Sequence, residues 1–151
     1  MKKNQLLSSE ESTSYRSLVR PALMDVLQEK IMDYIVVRKK YKEKNYTARQ
    51  LAKDLGTNSR YISAVVNTKF RMNYTALVNK YRIEEALQIL SDPQYSSLSI
   101  EKVAGMVGFI NRQSFYSVFR KQMNMTPVQY RKQQLESLND NDGNLSQKIT
   151  A

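Results

Sequence analysis

Between Ile100 and Arg131 the apolar positions fall at helical spacing, and Gly108 breaks their rhythm. Val103, Ala104 and Val107 give a first helix its apolar stripe. Gly108 stops that helix, because glycine accepts the left-handed conformation in which helices end. Asn111 is placed to cap a second helix, in which Phe115, Val118 and Phe119 recur at helical spacing. Small Ala104, four residues before the glycine, lets two helices approach closely, so the pattern predicts a helix-turn-helix. The outward face of the second helix carries Arg112, Gln113, Ser114, Tyr116, Ser117, Arg120 and Lys121, and no acid.

The same pattern occurs earlier, from Thr47 to Phe70. Ala52 precedes Gly56 by four residues as Ala104 precedes Gly108, Leu51 matches Val103, and Leu55 matches Val107. A polar turn and a helix with arginine in its first turn follow each glycine, Arg60 and Arg112 respectively. The chain therefore contains an internal repeat of about fifty residues, which ranks above any single motif in fixing the fold.

The remaining elements follow in order. Pro21 suits the first turn of a helix reaching about Tyr41, with Leu23, Leu27, Ile31, Tyr34 and Ile35 as its buried stripe. Thr47 and Gln50 form a capping box for the next helix, whose core face is Ala48, Leu51, Ala52 and Leu55. The first recognition helix is expected from about Ser59 to Thr68, with Ile62, Val65 and Val66 inward and Arg60, Ser63, Ala64 and Asn67 outward. Asn73 caps a long helix to about Leu90, apolar enough to touch both lobes. A loop marked by Pro93 follows. Ser99 caps the second motif, and Thr126 with Pro127 starts the last helix, which Val128 and Leu135 pack back on its lobe. The expected division is 1–18 disordered, 19–91 a first lobe with the linker helix, 92–137 a second lobe, and 138–151 a disordered tail. The fold class is all-α: two helix-turn-helix lobes bridged by a long linker helix, about seven helices.

Charge narrows the partner. The net charge is +10, from 24 Lys/Arg and 14 Asp/Glu. The excess lies in the folded part, with only the last fourteen residues slightly acidic, so a polyanion suits the chain. There is no cysteine and no histidine. Disulfides, thiolate metal sites and cysteine nucleophiles are thereby excluded, and the commonest general base and metal ligand are missing. No enzyme, metal or cofactor is expected. The Met1-Lys2-Lys3 start is followed by no apolar signal core and no apolar run approaches a membrane span, which points to the cytoplasm.

The chain resembles the DNA-binding domain of the AraC/XylS family of bacterial transcription regulators, from about Asp33 to Lys132. The resemblance rests on Gly108-Phe109, the phenylalanine-containing helix Ser114 to Lys121, Met125-Thr126-Pro127 with Tyr130-Arg131, and Tyr81-Arg82-Ile83 with Ala86. Leu51-Ala52 and Leu55-Gly56-Thr57-Asn58 resemble the Bacteroides-type branch. The resemblance implies a sequence-specific regulator whose two recognition helices enter successive major grooves, about 34 Å apart. The matched base-reading positions are Arg60, Ser63 and Ala64, then Arg112, Gln113, Ser114, Tyr116 and Ser117. Arginine pairs bidentately with guanine and glutamine with adenine. Asn67, Lys69, Arg71, Arg120 and Lys121 are candidate phosphate contacts. Ser63 and Ala64 are short, which leaves Arg60 most of the reading in the first motif. The expected partners are double-stranded DNA, bound by a monomer, and RNA polymerase by family resemblance. The other class is a protein-interaction module that binds another regulator; the acid-free outward face favours DNA. About twenty polar residues precede the first helix, too few for an effector domain, so either a stand-alone regulator or the partner of a separate sensor is expected.

Overall fold

The computed structural model describes residues 20–149. The 1–18 segment expected to be disordered lies outside them. Among the described residues there are seven α-helices and no strand: α1 Pro21–Met32, α2 Ala48–Leu55, α3 Ser59–Val65, α4 Tyr74–Ser91, α5 Ile100–Met106, α6 Arg112–Met123 and α7 Pro127–Ile149. The chain divides into two compact units between Lys80 and Tyr81, inside α4.

The division differs from the one expected at residue 91. Ile83, Ala86 and Leu90, all from the second half of α4, share a core with Ile100, Val103, Ala104 and Val107 of α5, Phe109, and Phe115 and Phe119 of α6. Apolar residues three and four apart on one helix face make that half of α4 a structural part of the second unit. Leu77 and Val78, on the other side of the division, are buried too.

In the first unit α1 has Pro21 at its start and buries Met24, Leu27 and Ile31. Leu23, expected in that stripe, is 39% exposed. Met24 and Leu23 lie three and four positions before Leu27, and Met24 holds the inner one. The helix also ends sooner than Tyr41. Its last turn widens to a π-helical turn, Asp33–Val37, that carries buried Ile35. There Arg38 donates from its backbone to the Asp33 carbonyl and from Nε to Asp33 Oδ2, each at 2.9 Å. Its guanidinium also stacks 4.3 Å from the Tyr34 ring. Lys39, with φ 53°, turns the chain into a short 3-10 segment, Lys40–Lys42, whose Tyr41 is buried.

Tyr46 then ties the loop down. Its hydroxyl donates to Asp54 Oδ2, and its carbonyl accepts from the Tyr74 hydroxyl at 2.7 Å. Burial, reinforced by the Asp54 bond, pushes the Tyr46 phenol far above its usual range. The same bond, aided by Gln50, holds the Asp54 carboxyl below the usual carboxylate value. Gln50 is thereby diverted from the expected capping box. Thr47 Oγ1 accepts from Gln50 N at 3.2 Å, but the Gln50 side chain donates forward to Asp54 Oδ1 at 3.1 Å. The full box stands instead at α7. There Thr126 Oγ1 accepts from Gln129 N at 3.2 Å, and Gln129 Oε1 accepts from Thr126 N at 2.9 Å.

The tail expected to be disordered from residue 138 is helical: α7 runs through Pro127–Ile149. It is anchored at its start, where Tyr130 meets Phe119 edge-on at 5.8 Å and the Arg131 guanidinium donates to the Leu98 carbonyl. Val128, expected to pack, is 47% exposed. Residues 136 to 144 are exposed all round. A polar helix has no amphipathic stripe, so the periodicity that marks helices in sequence is missing there.

Candidate nucleic-acid interface

The two helix-turn-helix motifs are built by the same backbone device. In the first, Gly56 has φ +68° in space where a Cβ would meet nothing within 4 Å, so conformation and not crowding calls for glycine. Its N–H donates to the Lys53 carbonyl at 3.2 Å, and Thr57 N–H donates to Ala52 at 2.9 Å. In the second, Gly108 has φ 106°. Gly108 N–H donates to Gly105 at 3.2 Å and Phe109 N–H to Ala104 at 3.0 Å. This paired bonding is the Schellman ending, which satisfies the last carbonyls of a helix and reverses the chain.

An asparagine then starts each recognition helix. Asn58 Oδ1 accepts from Tyr61 N at 3.0 Å, and Asn111 Oδ1 accepts from Ser114 N at 2.8 Å. The glycines are 52 positions apart but the caps are 53 apart. The second turn is one residue longer, and that residue is Ile110. The repeat keeps the new spacing afterwards. Left-handed Arg71, φ 55°, matches left-handed Asn124, φ 57°. Asn73, whose Oδ1 accepts from Ala76 N at 2.8 Å, matches Thr126 as the next helix cap.

The spacing changes which candidates correspond. Arg60 and Arg112 are both in first turns, but Arg112 is the first residue after its cap and Arg60 the second. Arg60 corresponds to Gln113, Ser63 to Tyr116, Ala64 to Ser117 and Asn67 to Arg120. Ile62, Val65 and Val66 take the core places of Phe115, Val118 and Phe119.

On α6 the structure brings the predicted residues together on one exposed face. Arg112, Gln113, Ser114, Ser117, Arg120 and Lys121 are exposed and Tyr116 is half-buried. Arg112 Nη2 donates to the Tyr116 hydroxyl at 3.1 Å, and the guanidinium lies 4.8 Å from that ring's centroid. One helical turn separates the two, so Tyr116 holds the guanidinium against the helix. Beneath this face runs an aromatic series: Phe109 to Phe115 at 5.2 Å, Phe115 to Phe119 at 5.6 Å, and Phe119 to Tyr130 at 5.8 Å. Tilted and edge-to-face rings at these distances fix the helix more firmly than aliphatic packing of equal area. The Arg82 guanidinium lies 5.6 Å from the Phe109 ring.

On α3 the outcome is mixed. Arg60 and Ser63 are exposed. Ala64 is not a base reader: it is 6% exposed and belongs to the core. A methyl side chain carries no mark of the face it will take, and here it faces inward. Asn67 is half-buried, in the π-helical turn Val66–Phe70 that ends this recognition helix. Lys69, a phosphate candidate, reaches Asp25 Oδ1 of α1 at 2.7 Å. Arg71 is exposed and occupies the left-handed position that ends the helix. The residue that sequence reasoning passed over is Ile110, which is 60% exposed at the start of α6.

The arrangement matches a known family. A helix-turn-helix domain family matches residues 51–133, more than half of the chain. The chain belongs to this family, in its AraC/XylS form. Relatives include the xylose operon regulatory protein of Escherichia coli K12, 28% identical over 120 residues, which cover 80% of this chain and 28% of that protein. The chain thus spans less than a third of the length of this relative. The C-terminal domain of AraT, a response regulator from Geobacillus stearothermophilus, superposes with a TM-score of 0.63 at 25% identity, covering 77% of this chain and 88% of that one. The C-terminal domain of the two-component response regulator yesN from Fusobacterium nucleatum does so with a TM-score of 0.60 at 25% identity, covering 69% and 98%. The AraC/XylS match starts inside α2, so α1 lies outside it. Among the described residues no cluster of acidic side chains could hold a metal, and no helix is long and apolar enough to cross a membrane.

Proposed function

We propose that this chain binds a specific double-stranded DNA sequence and regulates transcription, reading two major-groove segments with α3 and α6. The observation that carries this reading is the acid-free outward face of α6, with Arg112, Gln113, Ser114 and Ser117 exposed above a rigid aromatic core. A recognition helix presents its N-terminal residues to base edges. Arg112 matches guanine and Gln113 matches adenine, while Arg120 and Lys121 at the far end meet phosphates. On α3, Arg60 is the principal reader, with Ser63 beside it. Asn67, Lys69 and Arg71 contribute to backbone contact, Lys69 by exchanging Asp25 for a phosphate.

The protein works as a monomer on an asymmetric site in the bacterial cytoplasm, without catalysis, and its output passes to RNA polymerase. The relative named as an operon regulatory protein supports the transcriptional role.

The test is a titration of duplex binding from about 50 to 200 mM salt, combined with sedimentation of the complex. Six or more neutralised phosphates would lower affinity by about a thousandfold or more over that range. A one-to-one complex is expected. A flat salt dependence would defeat the DNA reading and leave a protein partner in its place.

A further inference from the structure

We propose that Ile110 is an apolar base reader that packs against the C5-methyl group of a thymine beside the bases met by α6. The proposal rests on the reading of α6 as a recognition helix and adds a residue and a ligand group to it.

Ile110 is the extra residue of the second turn, between Phe109 and the cap Asn111. A large apolar residue just before a cap ordinarily folds back onto the fourth residue of its helix, as a hydrophobic staple. That fourth residue is Phe115, and its place is already taken. Phe109, 3% exposed, packs on Phe115 with ring centroids 5.2 Å apart. Ile110 is left without the role its type and position would give it, and stands 60% exposed. It is also the one large apolar side chain among the exposed residues around the start of α6, since Asn111, Arg112, Gln113 and Ser114 are polar.

A lone exposed isoleucine is ordinary on a protein surface. The comparison with the first motif makes this one informative. There the turn passes from Gly56 through Thr57 to the cap Asn58 with no added residue, and no large apolar side chain is displayed. The addition in the second turn thus changes the chemistry shown beside Arg112 and Gln113 without altering the Schellman ending or the cap. In the major groove the only apolar mark on a base edge is the thymine methyl. A branched aliphatic side chain has no hydrogen bond to offer and fits that mark.

The experiment uses the whole 151-residue chain and a duplex selected by it from random sequence. Each thymine of the selected site is replaced in turn by deoxyuridine, which removes only the methyl. One replacement is expected to weaken binding of the unaltered chain about fourfold, the effect of one methyl-sized apolar contact. Ile110→Ser should bind the thymine duplex about as the unaltered chain binds the uracil duplex, and should not respond to the replacement. Ile110→Val should fall between them. All three should melt alike, because the side chain is exposed. If no single replacement weakens a complex that still prefers its site over random DNA, or if Ile110→Ser stays sensitive to the same replacement, the Ile110 assignment is overturned while the DNA reading stands. If the chain prefers no duplex at all, both fall.

Discussion

The two helix-turn-helix motifs share their scaffold and differ in their filling. Both end the first helix with a left-handed glycine and start the second with asparagine. The first packs Ile62, Val65 and Val66 beneath α3, and the second packs Phe115 and Phe119 beneath α6. The first presents Arg60 and Ser63, with Ala64 turned inward. The second presents a longer polar set, with Arg112 held on Tyr116. The lesson is that backbone devices fix where a recognition helix lies, while the side chains behind and before it decide how rigidly and how richly it reads. On the function proposed above, the second motif is the discriminating one and the first the lesser reader.

Core deletions should expose that contrast most strongly. Phe119→Ala removes a ring that touches both Phe115 and Tyr130. It should destabilise the second unit by about 3–5 kcal/mol. Val66→Ala, at the equivalent place in the first, should lose only about 2 kcal/mol. Chemical denaturation followed by circular dichroism measures both; equal losses would remove the aromatic core as the basis of the difference.

Next in size is discrimination. Arg112→Ala should lose about 1–3 kcal/mol on the selected site and little on random duplex. Tyr116→Phe keeps the ring beneath the guanidinium and removes its hydroxyl acceptor, so it should lose only about 0.5–1.5 kcal/mol. Ser63→Ala on α3 should stay within about 0.5 kcal/mol. Binding isotherms on specific and random DNA separate these outcomes. Should Arg112→Ala weaken both duplexes equally, Arg112 is a phosphate clamp.

A stability effect well below the core losses concerns the residues that end the two recognition helices. Asn124 tolerates the left-handed conformation, whereas Arg71 sits there at φ 55° against its preference. Arg71→Gly should stabilise the first unit by about 0.5–1 kcal/mol. Asn124→Gly should change little. Parallel thermal melts check the pair.

How much of this was legible beforehand depends on how local each signal is. The caps Thr47, Asn73, Ser99, Asn111 and Thr126 read from the sequence all accept the expected backbone hydrogen bond. A cap acts over three residues and depends on nothing distant. The repeat was legible for the same reason, since Ala52-to-Gly56 and Ala104-to-Gly108 are short spacings. The inward face of Ala64, the widened turns at Asp33–Val37 and Val66–Phe70, and the choice of Met24 over Leu23 are decided by tertiary packing, which no local pattern encodes. The diversion of Gln50 to Asp54 is a competition between two partners: the Thr47 N–H, from which the side chain would accept, and the Asp54 carboxylate on the next turn, to which it donates. The helical 138–149 segment was missed because polar residues hide helical periodicity.

The division between Lys80 and Tyr81 falls inside one unbroken helix. Domain boundaries ordinarily fall in exposed linkers. A break at this one would strand about four carbonyls and four N–H groups. Limited proteolysis therefore meets no loop at the seam, and neither half can be excised there with its hydrogen bonding intact.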